Sequence, residues 1–493
     1  MAKVTLDPAY TVGEVNPRLF GSFVEHLGRC VYTGLYEPEH PLADEDGLRA
    51  DVLELVRELG VTLVRYPGGN FVSGYRWEDG VGPAADRPRR PEPAWKSIET
   101  NRFGLGEFAR FVAKVDAEPM LAVNLGTRGL AEALDLLEYA NFPGGTALSD
   151  LRRKHGSDDP FGIELWCLGN EMDGSWQIGA KPAEEYGRLA GQTARAMRML
   201  DPRVRLVLCG SSGASMPTFG TWERTVLQEA YDAVDYISCH AYYEEADGDV
   251  DSFLASAVDM ERFIDSVVAT ADHVRAVKRQ SKRIEISFDE WNVWYMNRDL
   301  NRPDAPEWTV APRLLENVYS VTDAVVVGSL LIALLSRCDR VGAACLAQLV
   351  NVIGPIMTEP GGPAWRQTTF HPFAQVSRFG RGTALRPVVT SPSHETARYG
   401  DVPLLHTTAV LGDGCLTVFA VNRDTSRPMP LELDLRGFGE MRVVEHLALS
   451  DEDRHAANTL LHQERVRPKA LGVEDIVLPP LSWNTIRLEA VVT

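Results

Sequence analysis

Between about residues 19 and 352 the chain repeats one pattern: a short apolar run that ends in polar or glycine residues, then a longer stretch with apolar positions at helical spacing. The apolar runs fall at 20–24, 62–66, 120–124, 163–168, 205–209, 236–240, 284–288 and 343–347. Helical periodicity covers 48–59, 105–115, 130–140, 183–200, 253–277 and 321–338, with Gly60 and Asp201-Pro202 as stop signals. Strands that alternate with helices are joined by crossovers, which makes their sheet parallel, and eight such runs predict a closed (β/α)8 barrel. Two connections are long and carry little periodicity: 70–101, with Pro83, Pro88, Pro91 and Pro93, and 291–312. Both follow strands, so they belong to the catalytic face of such a barrel.

Beyond about residue 379 the rhythm changes. Short alternating runs at 403–411, 416–422, 431–435, 442–449 and 483–488 lie between turn-like clusters, which predicts an antiparallel sandwich. Residues 4–14 also read as strand and turn. The expected architecture is therefore α/β: a TIM barrel over 18–379, and a smaller all-β, jelly-roll-like sandwich over 380–493 that residues 1–17 join.

Composition narrows the partners. Fifty Lys and Arg against 69 Asp and Glu give a net charge of −19, which argues against nucleic acid or an anionic membrane and for a neutral small ligand. The first eight residues lack the apolar core of a signal peptide, and Asp7 and Pro8 interrupt them. The most apolar stretch, 324–335, falls short of the roughly 20 residues a spanning helix needs and reads as a buried helix. Seven cysteines, an odd number without a CxxC pair, read as reduced thiols, which suits a cytoplasmic protein. No GxGxxG, P-loop or HExxH is present, so nucleotide and zinc-peptidase readings lack support, and no cofactor is expected.

In a (β/α)8 barrel the chemistry sits at the carboxyl ends of the strands. Run one leads into Glu25-His26, run two contains Arg65 and precedes Gly68-Gly69-Asn70, and run four leads into Gly169-Asn170-Glu171. Run six ends at His240-Ala241-Tyr242, run seven leads into Asp289-Glu290-Trp291-Asn292, and run eight into Gln348. Glu171 and Glu290 thus cap strands four and seven, nearly opposite each other. Such a pair suits glycoside hydrolysis, where one carboxyl protonates the leaving oxygen and the other attacks carbon or activates water. Arg65 reads either as a structural ion-pair partner or as the group that orients an ionised glutamate. His240 and Tyr242 read either as satisfied core residues or as partners of Glu290. Trp77, Trp95, Trp291, Trp294 and Trp308 either pack the long loops or, for Trp95 and Trp294 above all, offer apolar faces to a sugar ring. A divalent-cation set of Glu171, Asp173 and Asp289 is the weaker alternative, because these are not ligands from successive strands.

Four segments carry a specific resemblance: Phe20-Gly21-Ser22-Phe23-Val24-Glu25-His26; Arg65-Tyr66-Pro67-Gly68-Gly69-Asn70-Phe71; Trp166-Cys167-Leu168-Gly169-Asn170-Glu171-Met172-Asp173-Gly174; and Asp289-Glu290-Trp291-Asn292-Val293-Trp294. In this order they resemble the α-L-arabinofuranosidases of glycoside hydrolase family 51, over nearly the whole chain. The resemblance implies an exo-acting, retaining, metal-independent enzyme that removes terminal α-L-arabinofuranosyl residues from arabino-oligosaccharides, arabinan or arabinoxylan fragments. It implies Glu171 as general acid/base and Glu290 as nucleophile, with carboxyl groups about 5–5.5 Å apart. It further implies that Glu25, Asn70, Asn170 and Gln348 bind furanose hydroxyls, that Arg65 and Tyr242 orient Glu290, that His240 supports them, and that Trp95 forms a wall. A homo-oligomer, commonly a hexamer, is also implied. Glu171 should hold its proton to high pH, through carboxylate charge and partial burial. The rival readings are an endo-glucanase or xylanase of the same clan, which would need an open cleft rather than a pocket, and a silent carbohydrate-binding barrel.

Overall fold

The structure is a computed structural model that describes residues 1–296 and 308–491. Among the described residues, eight parallel strands close into a barrel: β1 (Gly21–Phe23), β2 (Leu63–Tyr66), β3 (Glu118–Val123), β4 (Leu165–Leu168), β5 (Arg205–Leu208), β6 (Tyr236–Tyr243), β7 (Glu285–Val293) and β8 (Val341–Ala347). They pair in chain order, and β8 closes on β1 through Cys345 opposite Gly21. Each strand is followed by a helix, beginning with Ala50–Leu59, whose Val52, Leu53, Leu55, Val56 and Leu59 form one buried stripe.

The differences from the sequence reading have local causes. Strands β6 and β7 run on to Tyr243 and Val293, because their polar ends line the barrel mouth instead of leaving the sheet. Trp291 is accordingly a fully buried strand residue and not part of a loop. Residues 297–307 of the expected 291–312 connection lie outside the described residues. Three helices carry no clean apolar stripe in sequence: Ala147–Lys154; Thr221–Ala230, whose buried face includes Glu223 and Thr225; and Phe370–Phe379, with Pro372 in its first turn and Gln375 and Ser377 buried. The expected 253–277 helix is two, Val250–Leu254 and Ala257–Lys278.

The C-terminal part packs a seven-stranded sheet against a four-stranded one, counted among the described residues. Thr11–Glu14 pairs with Thr383–Leu385 in the larger sheet, and Ala2–Leu6 lies between Val388–Thr390 and Met429–Leu435 in the smaller. Ala2–Leu6 runs parallel to Met429–Leu435, so the sandwich is not wholly antiparallel. A strand donated from the far end of the chain has no hairpin to force the antiparallel direction. The apolar stretch near residue 330 is the helix Val321–Leu335, buried on every side because it lies between barrel and sandwich. At Gly328 it touches the Trp483 ring so closely that a Cβ would sit 2.3 Å from Trp483 Cε3. Among the described residues no helix is long and apolar enough to cross a membrane.

Candidate active site

Side chains from β2, β4, β6 and β7 meet at the carboxyl end of the barrel. Glu290 lies inside β7, where the strand carries one extra residue: Ser238 pairs with Ser287, yet His240 pairs with Glu290. The register against β8 shifts across the same residues, between Phe288 and Trp291. A bulge breaks the in-out alternation of a strand, and here it lets both Asp289 and Glu290 reach inward partners. Glu290 Oε1 accepts from Arg65 Nη1 at 2.7 Å, and Oε2 accepts from the Tyr242 hydroxyl at 2.7 Å. Arg65 Nη2 donates to Asn170 Oδ1 at 2.6 Å, and its guanidinium lies over the Phe23 ring at 4.7 Å.

Glu171 follows β4 through Gly169-Asn170 with a left-handed backbone, φ +44°, a strained conformation for a non-glycine residue. That turn aims its carboxyl back over the barrel. Oε1 lies 2.8 Å from His240 Nδ1, and Oε2 accepts from the Trp176 indole N–H at 2.7 Å. The other face of His240 is held by Asp289, Nε2 to Oδ1 at 2.9 Å. His240 is therefore bound mainly to Glu171 and Asp289, and not to Glu290 as the sequence suggested; its Nδ1 is 3.6 Å from Glu290 Oε2. Oxygen atoms of Glu171 and Glu290 lie within 4.8 Å of each other and of that nitrogen. The set weighed for a divalent cation is not assembled among the described residues: Asp173 is engaged by Ser212 and Asp289 by His240 and Ser287.

Glu25, just beyond β1, is 2 % exposed and takes three N–H donors: Phe71 N and Trp95 Nε1 at 2.9 Å on Oε1, and Gln348 Nε2 at 3.0 Å on Oε2. It lies over Gly68-Gly69, and a Cβ on Gly69 would stand 2.6 Å from Oε2, so the pair of glycines is the price of seating this carboxyl. Gln348 Oε1 is buried without a partner, an acceptor left for a ligand hydroxyl. Asn70 opens the long loop with its backbone carbonyl 3.5 Å from Gln177 Nε2. Trp294 meets the Tyr242 ring edge-on at 5.1 Å.

Four carboxyl groups, Glu25, Glu171, Asp289 and Glu290, thus gather in a site where all are nearly buried, and Arg65 is a permanently charged partner for two of them, Glu290 and Asp289. Full ionisation would leave uncompensated negative charge in a dry place, so the cluster retains protons. Burial raises the Glu171 carboxyl, and the charge of Glu290 adds to this against the hydrogen bond to His240. Burial likewise pushes Glu25 up to about 8 despite its three donors. Burial would lower the His240 imidazole, but the charges of Glu290 and Asp289 and the hydrogen bonds to Asp289 and Glu171 carry it up to about 10. For Asp289 burial is outweighed by Arg65 and His240, and its carboxyl lies below the usual range.

The mouth is partly roofed. Backbone bonds from Trp308 N to Lys96 O, and from Ile98 N to Thr309 O at 2.9 Å, stitch the β7 connection to the β2 loop. His26 braces that loop from below, with Nε2 2.8 Å from the Tyr66 hydroxyl and Nδ1 2.9 Å from Glu99 Oε2. Sequence reasoning passes over Trp176, whose only signal is a tryptophan five positions after Glu171, and takes Asp289 only as a possible metal ligand.

The family description "Alpha-L-arabinofuranosidase 1 domain" matches residues 55–257, and "Alpha-L-arabinofuranosidase C-terminal domain" matches 289–482. The chain is 66 % identical to an intracellular exo-α-(1→5)-L-arabinofuranosidase of Streptomyces lividans, over 99 % of this chain and 75 % of that one. It is 55 % identical to an exo-α-(1→6)-L-arabinofuranosidase of Bifidobacterium longum, over 99 % and 97 %. Among solved structures, a family 51 α-L-arabinofuranosidase from Bifidobacterium longum superposes with a TM-score of 0.95 at 48 % identity, covering 99 % of each chain.

Proposed function

The chain belongs to the α-L-arabinofuranosidases of glycoside hydrolase family 51 and is an exo-acting α-L-arabinofuranosidase; on that premise we propose that it works by double displacement with retention, Glu290 as nucleophile and Glu171 as acid/base. The observation that carries this is the approach of the two carboxyl groups, one oxygen of each within 4.8 Å of the other, which suits the separation of about 5–5.5 Å for direct attack on carbon better than the roughly 6.5–9.5 Å that admits a water between them. In the first step Glu290 bonds to the anomeric carbon as the bond to the leaving oxygen breaks, and that oxygen takes the proton of Glu171. In the second, water gives its proton to Glu171 and its oxygen to the anomeric carbon, and the bond to Glu290 breaks. Glu25, Asn70, Asn170 and Gln348 hold the furanose hydroxyls, Arg65 and Tyr242 orient Glu290, and Trp95 and Trp294 wall the pocket. The loops stitched between Lys96 and Thr309 support a closed pocket for a terminal residue of an arabino-oligosaccharide, arabinan or arabinoxylan fragment. The test is stereochemical. With methanol as acceptor, proton NMR should show methyl α-L-arabinofuranoside as the first product; the β anomer would overturn the reading.

The enzyme is further proposed to act inside the cell as a homo-oligomer, with a hexamer expected. Its relative from Streptomyces lividans is named intracellular, and Val388 on the edge strand Val388–Thr390 is 65 % exposed, which suits burial against a second copy. Sedimentation velocity on enzyme from the cytosolic fraction should give a species near six chains. A monomer, or enzyme found only in the medium, would count against it.

A further inference from the structure

Asp289 stands next to Glu290 in the chain but points to a different task. It is 1 % exposed, and its carboxylate is gripped by His240 Nε2 at 2.9 Å and the Ser287 hydroxyl at 3.1 Å, with Arg65 Nε at 4.0 Å. A carboxylate that accepts from Nε2–H leaves Nδ1 as the nitrogen whose proton can move, and Nδ1 is the atom 2.8 Å from Glu171 Oε1. Trp176 contributes an N–H that can only donate, so it presses Glu171 Oε2 into the acceptor role. The movable proton of this group therefore belongs between Oε1 and Nδ1. Below the imidazole, Arg65, Cys167, Cys209, Ser238 and Asp289 wall a void with no room for a water molecule, so no solvent reaches Nε2 from that side.

We propose that Asp289 is a positioning residue for the acid/base: it locks His240 so that Nδ1 and Glu171 share one proton, and this shared proton is the one given to the leaving oxygen. The inference rests on the reading of Glu171 as acid/base. The charge balance around the imidazole agrees with it. Glu171 and Asp173 face it from the β4 end and Asp289 and Glu290 from β7, with Tyr242 on its own strand and only Arg65, from β2, as a fixed cation. The thiols of Cys167 and Cys209 add no charge, since burial pushes Cys209 up to about 12 and Cys167 higher still. The negative charge of Asp289 stabilises the protonated form of the pair. Its removal lets the proton leave at lower pH.

Asp289→Asn keeps the shape and removes that charge. Its alkaline limb in kcat/KM should fall by at least about one pH unit. At neutral pH the loss should be about tenfold or more on phenyl α-L-arabinofuranoside, whose leaving group needs the proton, and much smaller on the 2,4-dinitrophenyl substrate, which does not. Equal losses on both substrates with an unmoved alkaline limb would overturn the inference and reduce Asp289 to a structural role. Glu171→Ala serves as the control: if it lacks the same leaving-group bias, the acid/base reading itself falls, whereas bias in Glu171→Ala without bias in Asp289→Asn sinks only the present inference. Should Asp289→Asn not fold, nitrogen-15 NMR of histidine-labelled wild type decides, with His240 assigned by its loss in His240→Asn. Nε2 should stay protonated from pH 5 to 9; a neutral ring protonated on Nδ1 alone would overturn the proposal.

Discussion

Glu290→Ala is expected to lose at least about 10⁴-fold in turnover of para-nitrophenyl α-L-arabinofuranoside, because it removes the atom that forms the covalent bond and nothing adjacent can replace it. The truncation leaves a hole bordered by Arg65 Nη1 and the Tyr242 hydroxyl, both of which pointed at the lost carboxylate at 2.7 Å. A small anion fits that charge pattern. Azide should therefore restore turnover, and since it attacks in one displacement the product should be the β-L-arabinofuranosyl azide. Glu171→Ala should behave oppositely. Its loss in kcat/KM should be about 10²–10⁴-fold on substrates with poor leaving groups and slight on activated ones, for which loss of the base instead lowers kcat by slowing hydrolysis of the arabinosyl-enzyme. Azide should speed the breakdown of the arabinosyl-enzyme and give the α azide. Full activity in either variant, or the same azide anomer from both, would refute the assignment of roles.

The barrel is legible in the sequence because each strand is a short buried run whose polar end coincides with the mouth, so one pattern reports element type and direction. What escapes is equally physical. Thr221–Ala230 hides because its buried face is built with Glu223 and Thr225, and Phe370–Phe379 because Pro372 and buried Gln375 break the stripe that apolar periodicity relies on. The parallel pairing of Ala2–Leu6 with Met429–Leu435 escapes for another reason. No local feature records which distant strand a terminal segment will join.

At the site, residue type and position suffice to gather Glu25, Arg65, Asn170, Glu171, His240, Tyr242, Glu290 and Gln348 at one end of the barrel, because side chains that end successive strands must converge there. Partner choice is not legible at that level. A strand without a bulge would turn Asp289 away from the mouth whenever Glu290 faces it. The extra residue in β7 brings both inward, and with Asp289 in place His240 turns to Glu171. Trp176 reaches Glu171 through a turn that begins with a left-handed glutamate, a conformation that composition and periodicity do not announce.

Arg65→Met is the substitution with the largest expected effect on stability. The guanidinium is 1 % exposed and is the one arginine bonded to this cluster among the described residues, paired with Glu290 at 2.7 Å and 4.0 Å from Asp289. Methionine preserves the apolar contact with Phe23 but strands two buried carboxyl groups, and breaking a buried pair by removing one partner costs about 3–5 kcal/mol. The pH dependence separates charge from packing. In the wild type the Asp289 carboxyl is held below its ordinary range against the pull of burial, by Arg65 and then His240. A depressed carboxyl stabilises the fold at pH values above its unfolded-state value of about 4, and that stabilisation disappears as pH falls through the folded value. The gap between wild type and Arg65→Met should therefore be widest at neutral pH and should narrow as pH falls from about 4 through the depressed folded value of Asp289, below which that carboxyl is neutral in both proteins. Urea unfolding followed by tryptophan fluorescence across pH 3–8 would measure it. A gap of constant size would mean that Arg65 stabilises the barrel through packing and neutral hydrogen bonds and not through its charge, and the account of Arg65 as the charge partner of Glu290 and Asp289 would fail with it.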